Sequence, residues 1–270
     1  MNVKKTAITI LGILVIILGL LFAGLYIQTE NMFRESYSSD YRYHVTISAE
    51  RSLDNVTLFL PLPSYGGVSS VGEAILREEG YGFPDDWEYS LIEVDGAGML
   101  QISADRIVPT YRNLITPIPI YPGETPPPTP EIITSTEYSE ETPVLIPIEC
   151  GVSIRDVDEI NTRDPLGSEP TLSPKRNLTL ADDPFPTPAP PVGVSASSYY
   201  TFESPVYAAY TCDPETVVSI HISYHGGNSW WVLGWSGNSF REDVAITLSG
   251  PDPGWQYGSG TLRTGEGRYR

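Results

Sequence analysis

Hydrophobic positions along the chain follow two patterns. From Ala7 to Ile27 nearly every position is apolar, no side chain is charged, and Thr9 is the only hydrogen-bonding side chain before Tyr26. As a helix, this run extends about 31 Å at about 1.5 Å per residue, matching a hydrocarbon core of about 30 Å. A lone span in lipid must be helical, because its backbone groups find no other partners there. From Tyr41 onward the pattern alternates. Tyr43, Val45, Ile47 and Ala49 share one face, with Arg42, His44, Thr46 and Ser48 on the other, the period of a half-buried strand. Val56, Leu58 and Leu60 repeat it, and Pro61 and Pro63 are expected to end that strand. A short helix is predicted at 71–79, from capping-box spacing at Ser70–Glu73. Residues 87–94 and 99–104 read as strands around an Asp95–Gly98 hairpin loop. Alternation returns at Val218, Ile220, Ile222 and Tyr224. A Gly226-Gly227-Asn228 turn, a strand at 229–235, and strands through Val244–Leu248 and Trp255–Tyr257 are expected to follow.

The middle of the chain breaks both patterns. Seventeen of its 25 prolines lie between Pro117 and Pro191, and runs such as 125–130 and 184–191 cannot pair inside a sheet because proline has no amide donor. Between Arg112 and Arg155 stand six Glu and no basic residue, interleaved with Ser and Thr. This reads as a solvated spacer, or as an O-glycosylated stretch. The predicted organisation is a tip at 1–5, a transmembrane signal-anchor helix at 6–28, a stalk at 29–40, a β-rich half at 41–116, a Pro/Thr-rich insertion or linker at 117–194, and a second β-rich half at 195–270. Each half alone is small for a core. Together they make an all-β, antiparallel sandwich or open barrel, which is preferred over two small domains.

Charge sharpens the placement. The formal net charge is −18, from 34 acidic and 16 basic residues, a balance that excludes phosphate-tracking nucleic-acid binding. Lys4 and Lys5 precede the apolar run, and Glu30, Arg34 and Glu35 follow it without a basic excess. The positive-inside rule then places the N-terminus in the cytoplasm and the rest outside the cell membrane. Without the lysine pair the remainder carries 14 basic against 34 acidic residues, a net of −20. A cleaved signal peptide is the competing reading, although its apolar region would be shorter. Membrane lipid is thus the expected partner of residues 7–27, and Gly19 with Ala23 forms a small-xxx-small pair on which two such helices can meet.

Candidate chemistry is sparse. No nucleophile elbow, Walker A loop, dinucleotide fingerprint or zincin helix occurs, and adjacent acids such as Asp85-Asp86 and Asp182-Asp183 are expected by chance in so acidic a chain. His221 and His225 sit on a predicted strand, where four residues span about 13 Å, too far to share an ion. The acidic run from Asp156 to Glu159 lacks the turn glycine and final Glu of a calcium loop. No cofactor or metal is expected. Cys150 and Cys212 would pair in an oxidising exterior, closing a loop worth about 4 kcal/mol on the entropy model; the alternative is two free thiols. Asn55 and Asn177 head N-x-Thr sequons and, if outside, are candidate glycan acceptors. The aromatics Trp230, Trp231, Trp235, Trp255 and Tyr257 crowd the last part of the chain. One face of the 229–235 strand should pack inward. The other, with Trp230 over Gly234, would offer a platform for sugar rings or a partner.

The plan of a short basic N-terminus, one anchor helix and an acidic Pro/Thr-rich β portion, with the segment Asn55-Val56-Thr57-Leu58-Phe59-Leu60-Pro61-Leu62-Pro63, resembles uncharacterised single-pass surface proteins of archaea, methanogens in particular. The resemblance covers architecture and carries no functional residue. The expectation is a membrane-anchored protein whose β portion serves a structural or binding role toward envelope glycan or an envelope protein. An anchored hydrolase or an accessory subunit of a membrane complex is the alternative.

Overall fold

A computed structural model describes residues 3–115, 123, 131–155, 157–184 and 197–269, with side chains from residue 11 onward. The proline runs at 125–130 and 185–191, the side chains of Lys4 and Lys5, and Asp156 lie outside the described residues. Helix α1 (Val3–Ser36) leads into strands β1 (Ser38–Ala49) and β2 (Leu53–Ser64), then a short helix α2 (Ser70–Leu76). The hairpin β3 (Glu88–Val94) and β4 (Ala97–Ile107) follows, then short strands β5 (Thr110–Arg112), β6 (Thr134–Ser135) and β7 (Val144–Ile146). Next come β8 (Ile148–Arg155), β9 (Thr171–Ser173) and β10 (Arg176–Ala181). The chain closes with four long strands, β11 (Ser198–Thr211), β12 (Val217–Trp231), β13 (Trp235–Ser249) and β14 (Gly254–Gly267).

These strands form one antiparallel sheet in the order β3-β4-β2-β11-β14-β13-β12-β1-β8, with β10 added beside β11 and β9 beside β2, and it curls into a half-barrel. Strands from both ends of the chain meet where β2 pairs with β11. A small second sheet holds β6, β5 and β7. Alternation decides which side faces in: Tyr43, Val45, Ile47 and Ala49 are buried, as are Val56, Leu58 and Leu60. Asp95 and Gly96 both take positive φ, 51° and 78°, so the β3–β4 turn is a two-residue type I′ turn, the form whose twist matches its strands. Ser69, one residue before the expected cap Ser70, caps α2 by accepting the Gly72 N–H at 3.0 Å.

Three expectations need correction. Strand β2 does not stop at Pro61. It continues to Ser64 by changing partner from β4 to β9, so its prolines sit where one ladder gives way to the next. Gly226-Gly227-Asn228 is not a turn but the interior of β12. A Cβ on Gly226 would lie 2.3 Å from Phe240 Cε1 and 3.0 Å from Tyr41 Cε1, so this glycine makes room for aromatic rings inside the half-barrel. The middle of the chain is also not merely a spacer. Its strand β8 pairs with β1, and the segment after it places Ile160 and Leu172 in the core.

That segment is held to the sheet by polar contacts. Buried Asn228 donates to Ile160 O (2.8 Å) and Asn238 Oδ1 (2.8 Å), and its Oδ1 accepts from Ser39 Oγ (2.7 Å) and Ile160 N (3.0 Å). All four bonds available to this side chain are thereby made. Thr162 Oγ1 adds a 2.6 Å bond to Asn238 Oδ1. Deeper inside, a row of facing residues crosses neighbouring strands: Tyr43, Tyr224, Glu242 and Leu262. Glu242 is fully buried, with Lys175 Nζ 2.7 Å from its Oε1 and the Leu172 N–H donating to its Oε2 at 2.5 Å. Burial pushes the Glu242 carboxyl up and Lys175 pulls it back; burial likewise depresses the Lys175 ammonium. The pair ties the covering segment to the centre of the sheet.

Candidate functional site

The structure separates the five aromatics into three environments. The first is the C-terminal end of α1. This helix is long and apolar enough over Leu11–Ser36 to cross a membrane, and none of its most apolar window is buried against the rest of the chain. Gly19 and Ala23 lie in that uncovered stretch, and a Cβ on Gly19 would meet nothing within 4 Å. Only Tyr37 separates α1 from β1. Phe33 and Tyr37, one helical turn apart, both contact the buried Trp230 ring, at centroid distances of 5.7 and 6.1 Å. Ser36 Oγ accepts the Trp231 N–H at 2.8 Å. Trp230 is thus the indole that docks the helix, not an exposed platform, and Gly234 lies in the turn beyond it.

The second environment is the tip of the β12–β13 hairpin. Trp231 and Trp235 are cross-strand partners in T-shaped contact at 5.8 Å, joined by Val232-Leu233-Gly234. Trp231 is 39 %, Leu233 80 % and Trp235 71 % exposed. Leu233 holds φ at 53°, a left-handed conformation uncommon for any residue but glycine, asparagine and aspartate.

The third lies on the convex face of the sheet. Ser90, Gln101, Phe59, Tyr207 and Trp255 face one another in register across β3, β4, β2, β11 and β14. Phe59 and Tyr207 stack at 4.7 Å, and Trp255 tilts against both, at 5.9 and 5.3 Å. Because Phe59 and Tyr207 use their faces on each other, the ring surface left to solvent is chiefly that of Trp255, 44 % exposed. Tyr257, two residues on, carries the Arg176 guanidinium 5.1 Å over its ring, and Arg176 also reaches Asp95 at 3.4 Å. The expected set omitted Phe59, although its place between inward Leu58 and Leu60 is enough to turn it outward.

The other candidates are dispersed. Cys150 and Cys212 are free thiols, not a disulfide. Cys150 is buried on β8 with its Sγ donating to Gly82 O at 3.1 Å, whereas Cys212 follows β11 and donates to Asp213 O. Burial pushes the Cys150 thiol up to about 11, which makes it unreactive. Asn55 and Asn177 are exposed, both at positive φ (54° and 53°), and Asn177 Nδ2 donates to Glu203 at 2.7 Å. His221 Nε2 lies 3.3 Å from Asp243, and His225 is lowered by burial and then by the nearby Arg42 charge. Burial opposes ionisation of Asp243, yet bonds from His221 and Arg241 outweigh it and bring the carboxyl to about 2. Among the described residues no group of three or more His, Cys, Asp or Glu is placed to hold a metal ion.

No protein-family model matches this chain, and neither does any curated protein or solved structure.

Proposed function

We propose that this chain is a single-pass membrane protein that holds a β half-barrel at the outer surface of a cell membrane, in a structural or binding role. The observation that carries the reading is the junction: an uncovered apolar helix of spanning length enters the domain across one residue and is docked there by Phe33, Tyr37 and Trp230. Lys4 and Lys5 before the apolar run favour a cytoplasmic N-terminus, and the net charge of −20 on the remainder suits a solvated, displayed domain. The likeness to archaeal surface proteins points the same way. The partner-binding face is the convex row at Trp255, where the C–H side of a sugar ring from envelope glycan packs on the indole. An envelope protein is the competing partner.

The test uses membranes from cells expressing the full chain. The chain is expected to stay in the pellet through an alkaline carbonate wash, and protease added outside intact cells is expected to remove the domain. Release by the wash, or protection from external protease, overturns the reading. Trp255→Ala is expected to lower retention on envelope polysaccharide with an unchanged circular dichroism spectrum. Equal retention would move the binding role elsewhere.

A further inference from the structure

We propose that the tip of the β12–β13 hairpin, Trp231–Trp235, is a second membrane contact that seats in the lipid headgroup layer beside α1. The proposal rests on α1 spanning the bilayer, and three observations carry it further.

The first is direction. Strand β12 is antiparallel to β1, and Ser229 lies opposite Ser38, the first residue of β1. Residues 230–235 therefore extend past the start of β1, on the side from which α1 arrives. The ring of Trp230 lies along the last helical turns, against Phe33 and Tyr37. The tip points back along the helix toward its apolar run.

The second is height. Ile27 ends the apolar run, and Ser36, which bonds the Trp231 backbone, stands about 13 Å further along the helix at about 1.5 Å per residue. Leu233 lies two residues beyond Trp231, returning about 7 Å of that rise at about 3.3 Å per residue. The tip backbone is then about 7 Å above the hydrocarbon boundary. A headgroup layer about 5–8 Å deep on each side contains that level, and the side chains reach lower still.

The third is chemistry. From Gly226 to Phe240 no side chain is ionisable, in a chain where acids otherwise dominate. The outermost residues are two indoles and a leucine, all exposed. Trp is the side chain that favours the membrane–water interface, with an apolar body and one N–H for the wet side. Leu233 presents an apolar side chain outward from a left-handed position, where a tip facing water would ordinarily carry glycine or asparagine. The convex row at Trp255 has polar and charged neighbours instead.

The experiment inserts the full chain into phosphatidylcholine nanodiscs, with and without bromine at carbons 6 and 7 of the acyl chains, and reads tryptophan emission. Brominated lipid is expected to quench the wild-type chain. The W231F/W235F variant, altered only at exposed positions, is expected to lose the larger part of that quenching, and W255F to keep it. Leu233→Asp is expected to shift the remaining emission of Trp231 and Trp235 to longer wavelength. Equal quenching of wild type and W231F/W235F, in discs that hold the chain, overturns the hairpin contact and leaves the spanning helix standing. Burial of the tip against a second copy would give that same result together with a doubled mass per disc. Failure of the chain to elute with the discs overturns the spanning helix, and the hairpin contact with it.

Discussion

Replacing Lys175 with Met isolates a buried carboxylate. Glu242 has no exposed surface and two partners, the ammonium at 2.7 Å and the Leu172 N–H at 2.5 Å. The substitution removes the charge and also the Lys175 bond to Leu172 O, leaving one donor for an anion out of water. Breaking such a pair from one side costs about 3–5 kcal/mol, a large share of the roughly 5–15 kcal/mol that holds a domain together. The carboxyl escapes by taking a proton. Its folded value is already raised above 4.5 by burial, and without Lys175 it rises further. A carboxyl raised in the fold favours folding below its unfolded value, and this contribution is lost as pH climbs toward the folded value. The loss therefore grows as pH climbs above the unfolded value, toward the cost of breaking the pair. Urea unfolding of the full chain in detergent, followed by near-ultraviolet circular dichroism, measures this. Lys175→Met is expected to be near wild type at pH 4.5 and about 3 kcal/mol less stable at pH 7. The K175M/E242L double variant is expected to recover most of the loss at pH 7. A pH-independent loss, or a double variant as unstable as the two single changes summed, would refute the reasoning.

Three further outcomes follow from the same geometry. Gly226→Ala drives a methyl into the Phe240 ring and is expected to lower stability by about 1–3 kcal/mol, with Phe240→Leu restoring part of it in a thermal melt. A maleimide is expected to label Cys212 in the native chain and Cys150 only after unfolding; a Cys150–Cys212 cross-linked peptide in a non-reducing digest would contradict this. Asp243, held at about 2 against an ordinary 3.8, adds stability present above 3.8 and lost as pH falls toward 2. Asp243→Asn is therefore expected to remove about 2 kcal/mol of the acid-side loss seen in the wild type.

The strands were legible where one side chain in two had to leave water. Tyr43 to Ala49 and Val56 to Leu60 are visible from alternation alone, and the hairpin loop expected at Asp95–Gly98 closes as the two-residue turn Asp95-Gly96. The glycine pair in β12 misled because glycine serves two ends, turning a chain and admitting a neighbouring ring, and only the position of Phe240 on the next strand distinguishes them. Trp230 and Trp231 differ in sequence by nothing but parity. Once β12 is seen to run through the glycines, Trp230 shares the inward parity of Ile220, Ile222 and Tyr224, and α1, nearly 200 positions away in sequence, covers it. Strand β8 and the segment carrying Ile160 and Leu172 were obscured by proline-rich neighbours and by burial shared with Glu242, which alternates inward with Phe240 and Val244 but whose charge argues for the surface.

The single residue between α1 and β1 also has a mechanical consequence. A helix joined to a sheet through a long linker turns freely beneath it, whereas here the Trp230 ring and the Ser36 hydroxyl clamp the two like a key in a shaft. Any rotation of the helix about its own axis carries the whole half-barrel with it. On the proposed topology, the azimuth of the convex face and its Trp255 is therefore set from inside the bilayer, by whatever holds the helix there.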